Sequence, residues 1–438
     1  KPPPCWRDSS KKKANFNSRG RHCGYGIAPY GLIASAVPGA AERQNAEKQK
    51  DAAARRGGQK RSKGMKNTPF PEIKGNFGFG CMRLPEKDGG IDLAAFSEMA
   101  DAFLAAGFNY FDTAHGYHDG LSEPAIRECV AKRYPRDRFV LTDKLTDEYF
   151  SSQEEIRPFF EKQLALCGVE YFDFYLMHAQ NAAYFEKFKK CRAYETALEL
   201  KKEGKIRHFG ISFHDGADVL ERILSEYPEI ETVQLQINYA DFDDPAVQGR
   251  ACAEVCKRHR KPVIVMEPVK GGILARLPEA AEKVLRAGTQ ESPARFAIRY
   301  AASCEQVYMV LSGVSNMAQT LENVGFMKDF RPFTEEEREL AEKVAAVFRG
   351  ADLIPCTACR YCTAGCPKNI SIPDLFSDMN AKTMYGDWNS DWYYGVHTGG
   401  KGRARDCIGC GKCERACPQH LPIRELLKKV SATFDREG

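Results

Sequence analysis

From Asn76 to about Phe330, short runs of β-branched and aromatic residues alternate with stretches whose apolar residues recur every three or four positions. Eight runs read as strands: Phe77 to Cys81, Asn109 to Asp112, Phe139 to Thr142, Phe172 to Met177, Ile206 to Ile211, Thr232 to Ile237, Val263 to Met266, and Val307 to Leu311. Helical patterns such as Ala94 to Ala106, Ile156 to Leu166 and Ala246 to Arg258 separate them. Strand-helix units of about 30 residues, eight times over about 250 residues, are what a closed α/β cylinder, the (β/α)8 TIM barrel, requires. An open doubly wound sheet is the alternative, but no Gly-x-Gly-x-x-Gly follows the first strand.

The flanks do not share this pattern. After the barrel, expected over 65–333, a Glu-rich run and then apolar residues at helical spacing within 334–352 predict a linker helix. A small C-terminal domain is then expected over 353–438. Before the barrel, residues 1–64 hold fifteen Lys or Arg against four Asp or Glu. The formal charge of +5 therefore hides a mildly acidic remainder, at about −6. This basic segment has no sustained apolar period and is expected to be disordered. Basic tails can bind nucleic acid or anionic lipid. The chain begins at Lys1, however, and Met65 stands just before the first strand, so 1–64 reads more simply as upstream or expression-derived sequence. No nucleic-acid or membrane partner is expected, since no apolar run is long enough to span a bilayer.

The C-terminal domain carries its chemistry in a repeat. Cys356, Cys359, Cys362 and Cys366 precede Pro367, and Cys407, Cys410, Cys413 and Cys417 precede Pro418. Each run reads C-x2-C-x2-C-x3-C-P, the spacing by which thiolates hold iron-sulfur clusters, with the fourth cysteine reaching the neighbouring cluster. The expected sets are Cys356, Cys359, Cys362 with Cys417, and Cys407, Cys410, Cys413 with Cys366, for two 4Fe-4S clusters. Paired C-x2-C segments can also hold zinc, but eight cysteines and both prolines disfavour a zinc ribbon. Disulfides are disfavoured too, because cluster thiolates need a reducing compartment; a cytoplasmic location is expected.

The duplication extends past the cysteines: Cys366-Pro-Lys-Asn-Ile-Ser-Ile mirrors Cys417-Pro-Gln-His-Leu-Pro-Ile. The whole resembles the helical kind of dicluster ferredoxin-like domain. Between the halves, Tyr385 to Gly402, with Trp388, Trp392, Tyr393 and Tyr394, is expected as a loop over the clusters. Cys81, Cys129, Cys167, Cys191, Cys252, Cys256 and Cys304 fall in strands or helix faces and read as small core residues.

In a TIM barrel the working face lies at the C-terminal strand ends. Asp112, Tyr117, Lys144 and His178 fall at or just after three successive ends. Here the chain resembles the aldo-keto reductases: Asp112-Thr-Ala-His-Gly-Tyr117 fits that family's Asp-Thr-Ala-x-x-Tyr motif, and Lys144 and His178 complete its tetrad. Gly210-Ile-Ser212, Gln236, Pro268 and Glu322-Asn323 match further. With its C-terminal domain, the chain is similar to the bacterial group of this family that carries a 4Fe-4S dicluster domain. Glu203 to Asp215 also resembles that group.

The resemblance implies an NAD(P)-dependent oxidoreductase that interconverts a carbonyl and an alcohol, with a small molecule as substrate. Tyr117 would donate the proton, Lys144 would lower the phenol's pKa, Asp112 would hold Lys144, and His178 would orient the carbonyl. Ser212 and Gln236 would hold the nicotinamide carboxamide, although Phe213 stands where relatives have Asn. Met266 lies where many relatives stack an aromatic ring. Ser315 and Gln319 lie where relatives grip the 2′-phosphate of NADP, without the usual Lys or Arg, so NAD is expected to serve as well, and Asn323 is a further expected cofactor residue. The clusters would be structural, or would exchange electrons with a ferredoxin or flavoprotein partner. A nucleotide-sensing module with little turnover, as in the potassium-channel β subunits, is a further reading that the intact tetrad argues against.

Overall fold

The computed structural model describes residues 69–244, 247–350, 352–385 and 389–435. The basic segment 1–64, with Cys5 and Cys23, lies outside the described residues, as does Trp388. Eight parallel strands close into a barrel: β1 (Phe77–Gly80), β4 (Tyr110–Asp112), β5 (Val140–Leu145), β6 (Phe172–Gln180), β7 (Ile206–Phe213), β8 (Thr232–Gln236), β9 (Val263–Met266) and β10 (Val307–Gly313). Each pairs with the next, and β1 closes the ring between β4 and β10 through Gly78 opposite Tyr110 and Leu311. The expected strands are all present in their expected order. The remaining two, β2 (Glu86–Lys87) and β3 (Gly90–Ile91), form a hairpin outside the barrel. Asp88 and Gly89 turn it with φ of 52° and 80°. That Asp-Gly pair is the hairpin signal in the sequence.

Helices form where the apolar spacing put them. Leu93–Ala105 starts at Asp92, whose carboxylate accepts a hydrogen bond from Ala95 N at 3.0 Å, and buries Phe96, Met99, Ala100 and Phe103 on one face. Gln153–Cys167 ends on Gly168 in the left-handed conformation, φ 68°. All seven non-cluster cysteines of the barrel are buried. At the N-terminal end of the strands, Phe70 and Ile73 close the barrel floor against Tyr110, Phe174 and Tyr308. Phe70 meets Phe174 edge to face with centroids 4.9 Å apart. Each such ring removed from water contributes about 1.5–3 kcal/mol.

The expected linker is the helix Glu335–Gly350, but it does not merely connect. Ala341, Val344 and Ala345 are buried in the barrel's own core, and Arg299 pairs with Glu337 at 2.9 Å. The stretch expected as a loop over the clusters is instead largely the helix Asn389–Thr398. Tyr394 there is buried, stacks on Phe434 at 4.6 Å and bonds Asp435 and Ala404 N, which ties the helix to the chain's last helix, Ile423–Phe434. Among the described residues no helix is long and apolar enough to cross a membrane.

Candidate active site and cluster sites

The barrel's working face is built from strand ends, as the sequence predicted, with one change of depth. Lys144 and His178 lie inside β5 and β6, because both strands run past their expected ends. Lys144 Nζ, fully buried, donates to Asp112 Oδ1 at 2.5 Å, to Thr113 O at 2.7 Å and to Tyr117 Oη at 3.3 Å. Asp112 Oδ2 accepts from Gln234 Nε2 at 3.0 Å. Tyr117 opens a tight turn in which His118 and Asp119 adopt φ of 52° and 54°. His178 bonds Thr146 Oγ1 through Nδ1 at 2.7 Å and Tyr361 Oη through Nε2 at 3.2 Å. The four predicted side chains are thus brought together.

Electrostatics refine their roles. Burial pushes the Tyr117 phenol well above its ordinary pKa, Asp112 adds to the rise, and the Arg83 guanidinium opposes it. Lys144 stands within hydrogen-bond reach of this phenol with its ammonium paired to Asp112, and Arg83 is a second cation beside it, one that opposes the rise. Burial, then the Lys144 charge, holds His178 well below its ordinary value, so its imidazole is neutral.

A cavity of about 270 Å³ opens beside the tetrad, lined by Tyr117, His178 and six expected cofactor residues: Ser212, Met266, Pro268, Ser315, Gln319 and Asn323. Ser212 Oγ accepts from Ala179 N at 3.1 Å, and Asn323 Nδ2 donates to Ser312 Oγ at 3.1 Å. Gln319 Oε1 accepts from Ser315 N at 2.8 Å. Gln236 does not line this cavity. Its amide is taken by Asp241 at 2.6 Å and by Gln419 at 2.8 and 3.0 Å. Gln234, one pleat earlier on the same strand face, lines the cavity instead. The two-residue period was in the sequence; the depth of each glutamine was not. Arg83, which the sequence reading passed over, supplies the one Lys or Arg among the described lining residues, and it pairs with Glu267 at 3.4 Å.

The cysteine repeat folds as a repeat. Arg360 and Gly411 occupy matching places before the short helices Tyr361–Ala364 and Lys412–Arg415, with φ of 66° and 71°. Asn369 and His420 match likewise, both at φ 50°. Cys356, Cys359, Cys362 and Cys417 line one small cavity; Cys366, Cys407, Cys410 and Cys413 line another. None of the eight is in a disulfide. Four thiols converging on each void, three from one run and the fourth from the other, fit a cubane cluster in each.

The cluster module sits on the barrel mouth. Arg83 Nη2 donates to Thr357 O at 2.7 Å, and His420 Nε2 lies 3.0 Å from His214 O. Gly271, φ 65°, admits Thr357 to the barrel surface: a Cβ there would stand 2.5 Å from Thr357 O. Between module and barrel runs a groove of about 1400 Å³ that shares Tyr117, His178, Cys359 and Tyr361 with the smaller cavity.

The comparisons agree with this architecture. Residues 76–346 match the aldo/keto reductase family and residues 355–421 match a 4Fe-4S dicluster domain. The protein is an oxidoreductase that belongs to the aldo/keto reductase family and carries a 4Fe-4S dicluster domain after its barrel. It is 25% identical over 310 residues to an uncharacterized oxidoreductase of Bacillus subtilis, covering 64% of this chain and 94% of that one. It is 27% identical over 249 residues to the 9,11-endoperoxide prostaglandin H2 reductase of Trypanosoma cruzi, covering 55% and 79%. The holo form of an aldo-keto reductase from Bacillus halodurans superposes with a TM-score of 0.51 at 26% identity, over 61% of this chain and 91% of that one. An aldo-keto reductase of Klebsiella pneumoniae in complex with NADPH shares the fold, with a TM-score of 0.51 at 18% identity, over 62% and 90%.

Proposed function

We propose that this protein reduces a small-molecule carbonyl to the alcohol with NAD(P)H. The observation that carries the reading is the bonded series Asp112, Lys144, Tyr117 at the edge of a cavity lined by the expected cofactor residues. NAD(P)H, when bound, supplies the hydride. As negative charge grows on the carbonyl oxygen, Tyr117 gives it a proton, and Lys144 stabilises the phenolate through the hydrogen bond at 3.3 Å. Asp112 and Thr113 O fix the ammonium. Neutral His178 presents Nε2 to the same oxygen. A phenol held above its ordinary pKa is protonated at neutral pH, which favours the reductive direction.

Ser212 and Gln234 offer the polar groups that would hold the carboxamide end of the cofactor. Ser315 and Gln319 are neutral where a 2′-phosphate would lie, so NADH is expected to serve alongside NADPH. Tyr117→Phe tests the reading: turnover of an aldehyde should fall by about 10²–10⁴-fold while cofactor binding, followed by fluorescence, persists. Near-normal reduction by this variant would overturn it.

A second reading is favoured by one observation: Cys359, of the set expected to hold a 4Fe-4S cluster, also borders the tetrad's cavity. In that reading the two clusters exchange electrons with a ferredoxin or flavoprotein partner during turnover. A folded Cys359→Ala protein that keeps its carbonyl reductase activity would make the clusters structural for that reaction.

A further inference from the structure

Tyr361 lies between Cys359 and Cys362, on the short helix that follows Arg360. Its side chain reaches out of the cluster module into the barrel mouth, where its hydroxyl is 3.2 Å from His178 Nε2. The two rings meet edge to face with centroids 6.0 Å apart. Tyr117 makes a similar edge contact with His178 at 6.1 Å. Thr146 engages Nδ1, so Nε2 is the ring atom that can serve a substrate, and Tyr361 holds it. Tyr361 also lines both the cofactor-side cavity and the wide groove, which sets its ring at the passage from one to the other.

We propose that Tyr361 is a specificity-determining residue of the reaction site, contributed by the cluster module, given the carbonyl chemistry proposed above. Its hydroxyl holds His178 Nε2 until a substrate oxygen displaces it, and its ring limits the bulk attached to the carbonyl carbon. A carbonyl oxygen has two lone pairs, which the Tyr117 hydroxyl and His178 Nε2–H occupy in the reacting complex. His178 Nε2 has a single hydrogen to donate, so the Tyr361 hydroxyl must leave Nε2 as the substrate oxygen takes it. The backbone on either side is fixed by Cys359 and Cys362, which line the cluster cavity, so the ring yields by rotating its side chain and not by withdrawing the segment. Aldehydes and other slim carbonyls pass under such a ring; ketones with two large substituents meet it.

The test uses the full-length holoprotein, with iron content and electron paramagnetic resonance confirming that both clusters survive in each variant. Tyr361→Phe removes the competing hydrogen bond and should lower KM for propanal by about two- to tenfold, the worth of one neutral hydrogen bond. Tyr361→Ala should raise kcat/KM for a bulky ketone such as benzophenone, relative to propanal, by about tenfold or more. Should that variant lose iron, Tyr361→Leu serves in its place. A readout free of turnover accompanies these: propionamide, which cannot be reduced, should bind Tyr361→Phe about two- to tenfold more tightly than wild type by calorimetry.

Unchanged KM, unchanged selectivity and unchanged amide affinity would overturn the role of Tyr361 while leaving the reductase reading intact. Tighter amide binding by Tyr361→Phe in a protein that reduces no carbonyl would support the role of Tyr361 and overturn the reductase reading. Weaker amide binding by that variant would show Tyr361 to be a substrate ligand and would overturn the competition proposed here.

Discussion

Gln236 and Gln419 clasp each other by reciprocal amide hydrogen bonds, 2.8 Å from Gln419 Nε2 to Gln236 Oε1 and 3.0 Å in return, which joins the last residue of β8 to the residue after Pro418. Both side chains are buried, so neither can turn to water if its partner is lost. Gln419→Ala is expected to destabilise the holoprotein by about 1–3 kcal/mol, the cost of leaving a buried polar group unpaired. Anaerobic urea unfolding of both single variants and the double variant gives the coupling energy, which should be well above the few tenths seen for unconnected sites.

Thr146 decides how His178 can act. For Nε2 to donate to a carbonyl oxygen, Nδ1 must accept, and the Thr146 hydroxyl 2.7 Å away is the group that can donate to it. Thr146→Val should lower kcat by about tenfold, the loss of one hydrogen bond to the transition state. Nitrogen-15 spectra of the imidazole, recorded on the same variant, should show the tautomer shifting away from Nε2–H. A fall in kcat without that shift would assign the effect to something other than the tautomer.

Beneath the tetrad, Glu123, Asp143 and Cys167 are packed together in the barrel wall. His115 Nδ1 lies 2.6 Å from Glu123 Oε2, and Gln163 donates to Glu123 Oε1 at 3.1 Å and to Lys144 O at 3.0 Å. Burial pushes the Glu123 carboxyl up to about 7, and burial with the neighbouring Glu123 charge pushes Asp143 well above its ordinary value. A carboxyl raised on folding is most stabilising while protonated. Its contribution therefore falls as pH rises from the unfolded value, 4.5, to about 7, and is lost above that. Glu123→Gln removes one charge from the pair, so thermal stability of the variant relative to wild type should improve as pH rises from 5 to 8, by up to about 1.4 kcal/mol per pH unit. A difference independent of pH would refute the raised Glu123 carboxyl.

Cross-pairing of the cysteine runs has a specific signature. Cys417 belongs to the second run in sequence but lines the cavity of Cys356, Cys359 and Cys362, nearest the barrel. Cys417→Ser should therefore perturb the same electron paramagnetic resonance signal as Cys356→Ser, and Cys366→Ser the same one as Cys407→Ser. Grouping by sequence run instead would refute the ligand sets.

Some of this protein is local information. The eight strands and their order follow from periodicity, and the left-handed turn at Asp88-Gly89 was written in its residue types. The cysteine spacing foretold the two groups of four thiols that line the two small cavities. The helix Asn389–Thr398 was hidden because its aromatic and glycine content has weak helical propensity, and burial of Tyr394 against Phe434 overrides that. Gln234 and Gln236 share a period, and pattern alone does not tell which of two residues on one strand face ends at the cavity and which meets a neighbour.

The sequence by itself determined the barrel and the two cysteine sets, because these depend on spacing along the chain, and its resemblance to the aldo-keto reductases pointed to Asp112, Tyr117, Lys144 and His178. Only the tertiary structure decided that the cluster module lies over the barrel mouth, with Tyr361 on His178 and Gln419 on Gln236. Those pairs are 183 residues apart in sequence, and nothing local encodes which surface of one domain will be complementary to another.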